Sequence, residues 1–402
     1  MQIFDAAIDL VDLWSISGRP LSGVKYRLLR PILPDSGANP GGGRPEQIDR
    51  CVKYLQSLGG GGRGGGGTAA AGGEQPFALY CSVLDPHPPY FTNSTWLSQI
   101  DDAALDATIN ATRWQPLNLM HPADRFQFEA EGVPAEYDRA LARRLARAWH
   151  GQTAETDAMM GAVLSALEAS PAASSTFILF TSDHGEMHLE HRHVEKMTHY
   201  EGSARIPLII AGPGIARGRT ETSLVSLLDV FPTFVDVAGA APPSFLDGFS
   251  LLPLAGVAGS HDRRTRPAYV AAMAASDSLN AGQFMLRRGR YKLIAYATAT
   301  DPAAFAPQLF DIDGNGGDER GDIWEMHDIA AEHPELVSSM DKALLAEIDY
   351  PAVMREYEAE GKAWARRWTA AFPNEGWKPL LRVAWKGFTS TDENKFMRWL
   401  VT

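Results

Sequence analysis

Three short, unbroken apolar runs constrain the fold more than any other feature of the chain: residues 77–84 (Phe-Ala-Leu-Tyr-Cys-Ser-Val-Leu), 176–181 (Thr-Phe-Ile-Leu-Phe-Thr) and 206–211 (Ile-Pro-Leu-Ile-Ile-Ala). Runs of this length without polar alternation read as strands covered on both faces. Between the first two, residues 134–170 carry a long helical pattern that includes Leu141, Leu145, Trp149, Val163 and Leu167, with Met159 and Met160 as core filling. After the third, residues 226–238 read as an amphipathic helix ended by Gly239, with Pro232 at a kink or in the first turn. Buried strands alternating with helices predict an α/β fold built on a mostly parallel sheet between helices.

Each run leads into or out of a loop rich in chemistry. In open α/β sheets ligands collect beyond the carboxyl ends of the strands. That rule places His87, inside Asp85-Pro86-His87-Pro88-Pro89, at the same edge as Asp183 and His184 and the segment up to Glu201. An adjacent carboxylate and imidazole can both bind a metal, although an isolated Asp-His pair reads more readily as a surface turn than as a site. His87 reads either as a site residue or as a loop histidine bonded to a backbone carbonyl. Arg192, His193, His199 and Arg205 concentrate positive charge that would steer an anion. Arg192 and His193 are thus candidate substrate contacts, with a solvated basic face as the alternative.

Residues 47–58 read as a helix with Ile48, Cys51, Val52 and Leu55 on one face. The glycine- and alanine-rich tract at 59–73 reads as a flexible surface insertion. It lacks the Gly-Lys-Ser/Thr end of a phosphate loop, and a strand follows it where that loop requires a helix. Beyond residue 259 the pattern changes to short alternating runs, Phe284-Met-Leu-Arg-Arg, Tyr291-Lys-Leu-Ile-Ala-Tyr and Gln308-Leu-Phe-Asp-Ile, followed by helical stretches at 335–348 and 352–368. The expected organisation is an α/β domain over 1–258 and a smaller C-terminal α+β domain over 259–402.

A net charge of -12 argues against a general nucleic-acid binder. No apolar run approaches the roughly 20 residues that span a bilayer. Asp5, Asp9 and Asp12 stand where a secretion signal needs a basic and then an apolar stretch. Cys51 and Cys81 permit at most one bridge, and Asn93-Ser-Thr95 and Asn110-Ala-Thr112 match the N-glycosylation acceptor pattern.

Ser182-Asp183-His184-Gly185-Glu186, Lys196, Tyr200-Glu201-Gly202 and Arg205-Ile206-Pro207 follow one another in an order that resembles the sulfatase signature, in the form carried by arylsulfatase-K-like and choline-sulfatase-like members. His121-Pro122, Glu155-Thr156-Asp157-Ala158-Met159, the Leu228-Asp229 and Pro232-Thr233 pairs, and Gln308-Leu309-Phe310-Asp311 are similar as well. The resemblance implies an alkaline-phosphatase-like fold and hydrolysis of sulfate esters of a carbohydrate, such as a sulfated uronate in a glycosaminoglycan-like polymer, or of an aryl group. By that resemblance Asp183 and His184 would be metal ligands and Lys196 would contact the sulfate. His87 would contact the sulfate or protonate the departing oxygen. One divalent ion is implied, calcium by family habit. The imidazole of His184 suits manganese, magnesium or zinc better than an all-oxygen calcium shell. A lysosomal or secreted location is also implied.

The family's nucleophile is a cysteine or serine in Cys/Ser-x-Pro/Ala-x-Arg, converted to formylglycine. Cys51 is followed by Val52-Lys53-Tyr54 and Cys81 by Ser82-Val83-Leu84, so neither fits, and no serine fits either. An N-terminal strand bearing adjacent aspartates, the family's remaining metal ligands, is also missing. The expectation is therefore a chain shortened at its N-terminus that hydrolyses no sulfate ester by itself. The alternatives are a non-catalytic sulfate- or sulfoglycan-binding relative and a phosphate-ester hydrolase of the same superfamily.

Overall fold

A computed structural model of the protein describes residues 46–58, 76–88, 90, 92–111, 115–125, 139–257, 269–274, 281–301, 303, 305–313 and 321–371. They belong to two compact units, Met1–Ala111 with Tyr137–Thr176, and Thr112–Glu136 with Phe177–Thr402. The expected insertion at 59–73 lies outside the described residues.

The first unit is helical. α1 (Glu46–Ser57) buries Ile48, Cys51, Val52 and Leu55, the face set by the helical spacing of these residues. α2 (Ser94–Leu97) starts at Asn93, whose side-chain oxygen accepts the backbone N–H groups of Thr95 and Trp96. α3 (Asp102–Ala111) and α4 (Arg139–Glu168) follow, and α1, α2 and α3 all pack along α4. Arg143 on α4 reaches Asp102 at 3.1 Å and Asp106 at 2.9 Å on α3. Solvent screens such exposed pairs, so they contribute little to stability.

Residues 77–84 do not form the expected strand. Leu79, Tyr80 and Leu84 are exposed, and no strand pairs with this run among the described residues. The run is fixed by side chains instead of a ladder: Cys81 is disulfide-bonded to Cys51, and the Phe77 ring meets Tyr54 edge-on with centroids 5.8 Å apart. Hydrophobicity alone does not make a strand when no neighbouring backbone takes up its hydrogen bonds.

In the second unit, β1 (Ile178–Thr181) pairs with β2 (Leu208–Ala211) in register Ile178↔Ala211 and Thr181↔Leu208. This pairing is antiparallel, and so are all the ladders among the described residues, so the parallel part of the expected sheet is not among them. A parallel pair needs a crossover, usually a helix packed on the sheet. Residues 182–207 make no such helix; they contain only a short 3₁₀ turn at Glu190–Arg192 and the one-turn helix α5 (Glu201–Ala204). α6 (Val230–Val237) follows a 3₁₀ turn closed by a capping box, in which Ser226 and Asp229 satisfy each other's backbone donors. Pro232 falls within the first turn of α6, where its missing N–H is harmless, and Gly239 just past the end adopts φ 66°.

β3 (Tyr269–Ala274), β4 (Ala281–Arg288), β5 (Tyr291–Thr298) and β6 (Gln308–Asp311) form an antiparallel meander, the pattern expected from their alternation. α7 (Pro334–Glu347) and α8 (Tyr350–Ala371) complete the unit. Strand parity divides the sheet into two faces. Phe284, Leu286, Leu293, Ala295 and Leu309 meet Met340, Leu344 and Met354 of α7 and α8. The other face carries Met285, Ile294, Tyr296 and Phe310 and packs against Met187, Tyr200 and Ala123. β4, β5 and β6 thus share a core cluster with the segment around residue 200, and α7 and α8 cover the opposite face of the sheet. No described helix is long and apolar enough to cross a membrane.

Candidate anion and metal site

The loop after β1 is shaped by its own polar groups. Ser182 Oγ donates to the carbonyl of His184 at 2.8 Å, and the backbone N–H of His184 donates to Asp183 Oδ1 at 3.0 Å. The Asp183 side chain is 82% exposed, with Oδ2 3.5 Å from His184 Nε2. His184 Nδ1 lies 2.9 Å from the carbonyl of Gly185. A carbonyl only accepts, so Nδ1 is the donor in that bond, and Nε2 is the nitrogen turned toward Asp183. An imidazole that donates one N–H to a backbone carbonyl and presents the other nitrogen is oriented as metal-binding histidines are.

A second segment is bonded onto this loop. Gly185 N–H donates to the carbonyl of Ser203 and Met187 N–H to the carbonyl of Glu195, each at 2.8 Å. The Glu186 carboxylate accepts the backbone N–H groups of His188 at 3.1 Å and Glu195 at 2.7 Å. Ser203 Oγ donates to the carbonyl of Lys196 at 2.6 Å. The approach is so close that a Cβ on Gly185 would lie 2.1 Å from the Gly202 carbonyl oxygen, which explains a glycine in Ser-Asp-His-Gly. The turn between the segments is tight: His188, Leu189, His191, Arg192 and Glu195 all have positive φ. Such backbone persists only where surrounding bonds over-determine it, as they do here. Lys196 is half-buried, with Nζ 3.8 Å from Glu195 Oε2.

Arg192 and His193, read from sequence as candidate substrate contacts or as a solvated basic face, are both buried. His193 is fully buried, and Arg192 is buried with Nε donating to the carbonyl of Gln115. His199 is buried too, its Nε2 3.1 Å from the Gln283 carbonyl; burial lowers its pKa to about 4, so it is neutral. The basic stretch therefore turns largely inward, because the turn points these side chains into the second unit's core. His191 stacks on Tyr200 with centroids 3.9 Å apart and bonds the Trp324 carbonyl at 2.7 Å. Tyr200 in turn donates to Asp124 at 2.5 Å. Tyr200→Phe is expected to cost about 1.5–3 kcal/mol by leaving the buried Asp124 carboxylate without this donor. The shift in urea midpoint measures it.

His87 belongs to the first unit. The proline-flanked loop holds its Nδ1 2.7 Å from the Pro88 carbonyl and its backbone N–H on the Leu84 carbonyl at 3.0 Å. This is the backbone-bonded arrangement weighed for it from sequence, and it also fixes the ring. The cluster that sequence reasoning missed is Lys292 on β5 with Glu201 and Glu325. A lysine at an inward parity position of a strand was the signal available.

Among the described residues no group of three or more His, Cys, Asp or Glu side chains converges to hold a metal. Asp183 and His184 fit as two donors on one side of an ion, through Oδ2 and Nε2. Two donors make only part of a shell.

Residues 68–240 match the family described as Sulfatase, and residues 189–351 match N-sulphoglucosamine sulphohydrolase, C-terminal. The chain is 33% identical to arylsulfatase K of Gallus gallus over 343 residues, covering 81% of this chain and 62% of that protein. It is 30% identical to arylsulfatase K of Homo sapiens over 348 residues, covering 82% and 62%. The chain therefore spans less than two thirds of the length of these relatives. In fold it resembles the putative sulfatase yidJ of Bacteroides fragilis, with TM-score 0.57 and 21% identity over 78% of this chain and 60% of that one. It also resembles the phosphonate monoester hydrolase of Silicibacter pomeroyi, with TM-score 0.53 and 24% identity over 65% and 54%. These likenesses show an alkaline-phosphatase-like α/β fold, and with the sequence matches they establish that the chain is a member of the sulfatase family, similar to arylsulfatase K.

Proposed function

We propose that this chain carries a sulfate-ester site built from the 182–186 loop and the 195–203 segment, acting on the sulfate ester of a sugar or an aryl group. The observation that carries the reading is one turn serving two partners. Ser203 accepts the N–H of Gly185, next to His184, through its carbonyl and holds the Lys196 backbone through its hydroxyl. A metal-type loop and a cation are thereby set on one scaffold. The 33% identity to arylsulfatase K supports a sulfuric ester as substrate, and a sulfated uronate is the sugar we favour.

Cleaving a sulfate ester puts negative charge on the leaving oxygen and on the equatorial oxygens, so fixed cationic donors stabilise the transition state more than the ground state. Lys196 supplies one such charge. Asp183 Oδ2 and His184 Nε2 would bind the divalent ion on which sulfatases depend. When bound, that ion polarises a sulfate oxygen. Calcium is the ion we expect from the family; the nitrogen ligand admits manganese, magnesium or zinc.

None of the 402 residues forms a Cys/Ser-x-Pro/Ala-x-Arg motif. That favours anion binding without turnover by this polypeptide alone. Calorimetry with inorganic sulfate in calcium or manganese buffer is the test. Lys196→Ala is expected to weaken sulfate binding about tenfold or more, in line with about 1.5–3 kcal/mol for a charged hydrogen bond. Asp183→Asn is expected to remove the dependence on metal. Sulfate binding that is unchanged in both variants would sink the site assignment, and rapid hydrolysis of 4-nitrophenyl sulfate by the purified chain would overturn the inactivity.

A further inference from the structure

Beneath the turn that joins the two halves of the site lies an ionic cluster that the proposed chemistry does not use. Lys292 and Glu325 have side chains only 1% exposed and meet at 2.7 Å, and Glu201 meets the same ammonium at 3.0 Å. Strand parity sends Lys292 to the face of β5 that carries Ile294 and Tyr296, against the 187–200 segment. Glu325 also accepts the backbone N–H of Glu201 at 2.6 Å, and its left-handed backbone, φ 54°, is held by a turn bond to the Asp322 carbonyl. Glu201 begins α5, so the cluster grips the turn that contains Gly202 and Ser203.

One ammonium contacts two carboxylates, and burial favours taking up a proton on the one that has no further cation beside it. The geometry says which carboxylate takes it. Glu201 is less buried and, although burial pushes it up, Lys292, Arg287 and Arg205 hold it below the usual carboxylate range. Glu325 is pushed up to about 7, chiefly by burial, with Lys292 opposing and Glu201 reinforcing. Tyr296 on β5 also feels the charge of Glu325, and burial first, then neighbouring carboxylates, keep its phenol neutral. His199 faces Lys292 and is neutral through burial.

We propose that Glu201, Lys292 and Glu325 form a proton-holding clamp that positions the 200–203 turn, and with it the backbone of His184 and Lys196, more firmly in acid than at neutral pH. The clamp is independent of which ester the site takes. Unfolded, Glu325 titrates near 4.5, so from there to about 7 the folded chain holds the extra proton. Its stabilising contribution is complete below that window and disappears as pH rises through it. His199, lowered from 6.5 to about 4, acts in the opposite sense and loses stability as pH falls. The raw stability curve therefore mixes the two, and a difference between variants separates them.

The test is urea unfolding of the whole chain and of Glu325→Gln between about pH 5 and about pH 8. The ratio of unfolding constants, unsubstituted chain over variant, is expected to rise about tenfold per pH unit up to pH ~7 and then level off. A ratio independent of pH overturns the clamp. Should the variant not fold, carboxyl NMR of the glutamate-labelled chain decides: one glutamate titrating near 7 supports the clamp, and none above about 6 overturns it. For the positioning role, exchange protection of the Gly185 amide, corrected for intrinsic rate, is expected to rise on acidification in the unsubstituted chain only. Equal changes in the variant would assign the cluster to global stability alone and overturn that role. Neither readout involves sulfate, so a failure of the ester assignment leaves this inference standing, and the reverse holds.

Discussion

Gly185→Ala is expected to destabilise the second unit by about 3 kcal/mol or more, at the upper end of what overpacking costs. The added Cβ would lie 2.1 Å from the carbonyl oxygen of Gly202 and 3.1 Å from its carbonyl carbon, and backbone cannot swing aside as a side-chain tip can. The two segments would have to part, and parting them breaks the bond from Gly185 N–H to the Ser203 carbonyl. The loss should therefore appear twice, as a lowered urea midpoint and as weakened sulfate binding. Gly202→Ala meets the Met187 sulfur at 3.1 Å and a Glu190 carboxylate oxygen at 3.3 Å, both on side chains, so its cost should be smaller. Equal stability of the Gly185 variant and the unsubstituted chain would contradict the close approach on which the site is built.

Lys292→Met should cost about 3–5 kcal/mol near neutral pH, the usual penalty for removing one partner of a buried ion pair. It strands two carboxylates, Glu201 and Glu325, with their common counter-ion gone. The penalty should shrink as pH falls, because both acids can then be neutralised by protons and their folded pKa values would lie above the unfolded ones. Unfolding measured in acid and at neutral pH separates this from simple loss of packing, which would be the same at both. Met keeps most of the aliphatic volume of lysine, so cavity formation is a small part of the effect.

Much of the architecture was legible in the sequence. The spacing of Ile48, Cys51, Val52 and Leu55 gave the buried face of α1, and the Gly239 stop and Pro232 fixed α6 to within a turn. The short runs at 284–288, 291–296 and 308–312, joined by Gly- and Asp-rich turns, gave the meander, because such turns return the chain to pair with the strand before it. What failed depended on partners distant in sequence. Residues 77–84 have the composition of a buried strand, but no strand among the described residues pairs with them. The pairing of β1 with β2 depended on what residues 182–207 do between them. Arg192 and His193 look like solvent-facing charge in a linear reading, and only the positive-φ backbone at 188–195 turns them inward. Lys292 was visible as a lysine in an apolar run, yet its partner Glu325 lies in a polar loop with no pattern of its own. In the site, the order of motifs placed Asp183, His184 and Lys196 on neighbouring segments, whereas the Gly185–Gly202 contact that joins them required coordinates.

The sheet of β3–β6 has both faces in use. On one side Phe284, Leu286, Leu293 and Leu309 rest on α7 and α8; on the other Met285, Ile294, Tyr296 and Phe310 rest against Met187 and Tyr200. Those last two residues flank the turn that carries Lys196, so the inner wall of that turn is made by strands more than eighty positions further along the chain. A fragment cut after β2 would keep every motif residue of the 183–203 segment and still lose the surface on which that segment is folded. Substitutions at Met285 or Ile294, outside the 183–203 segment, should therefore register first at the turn.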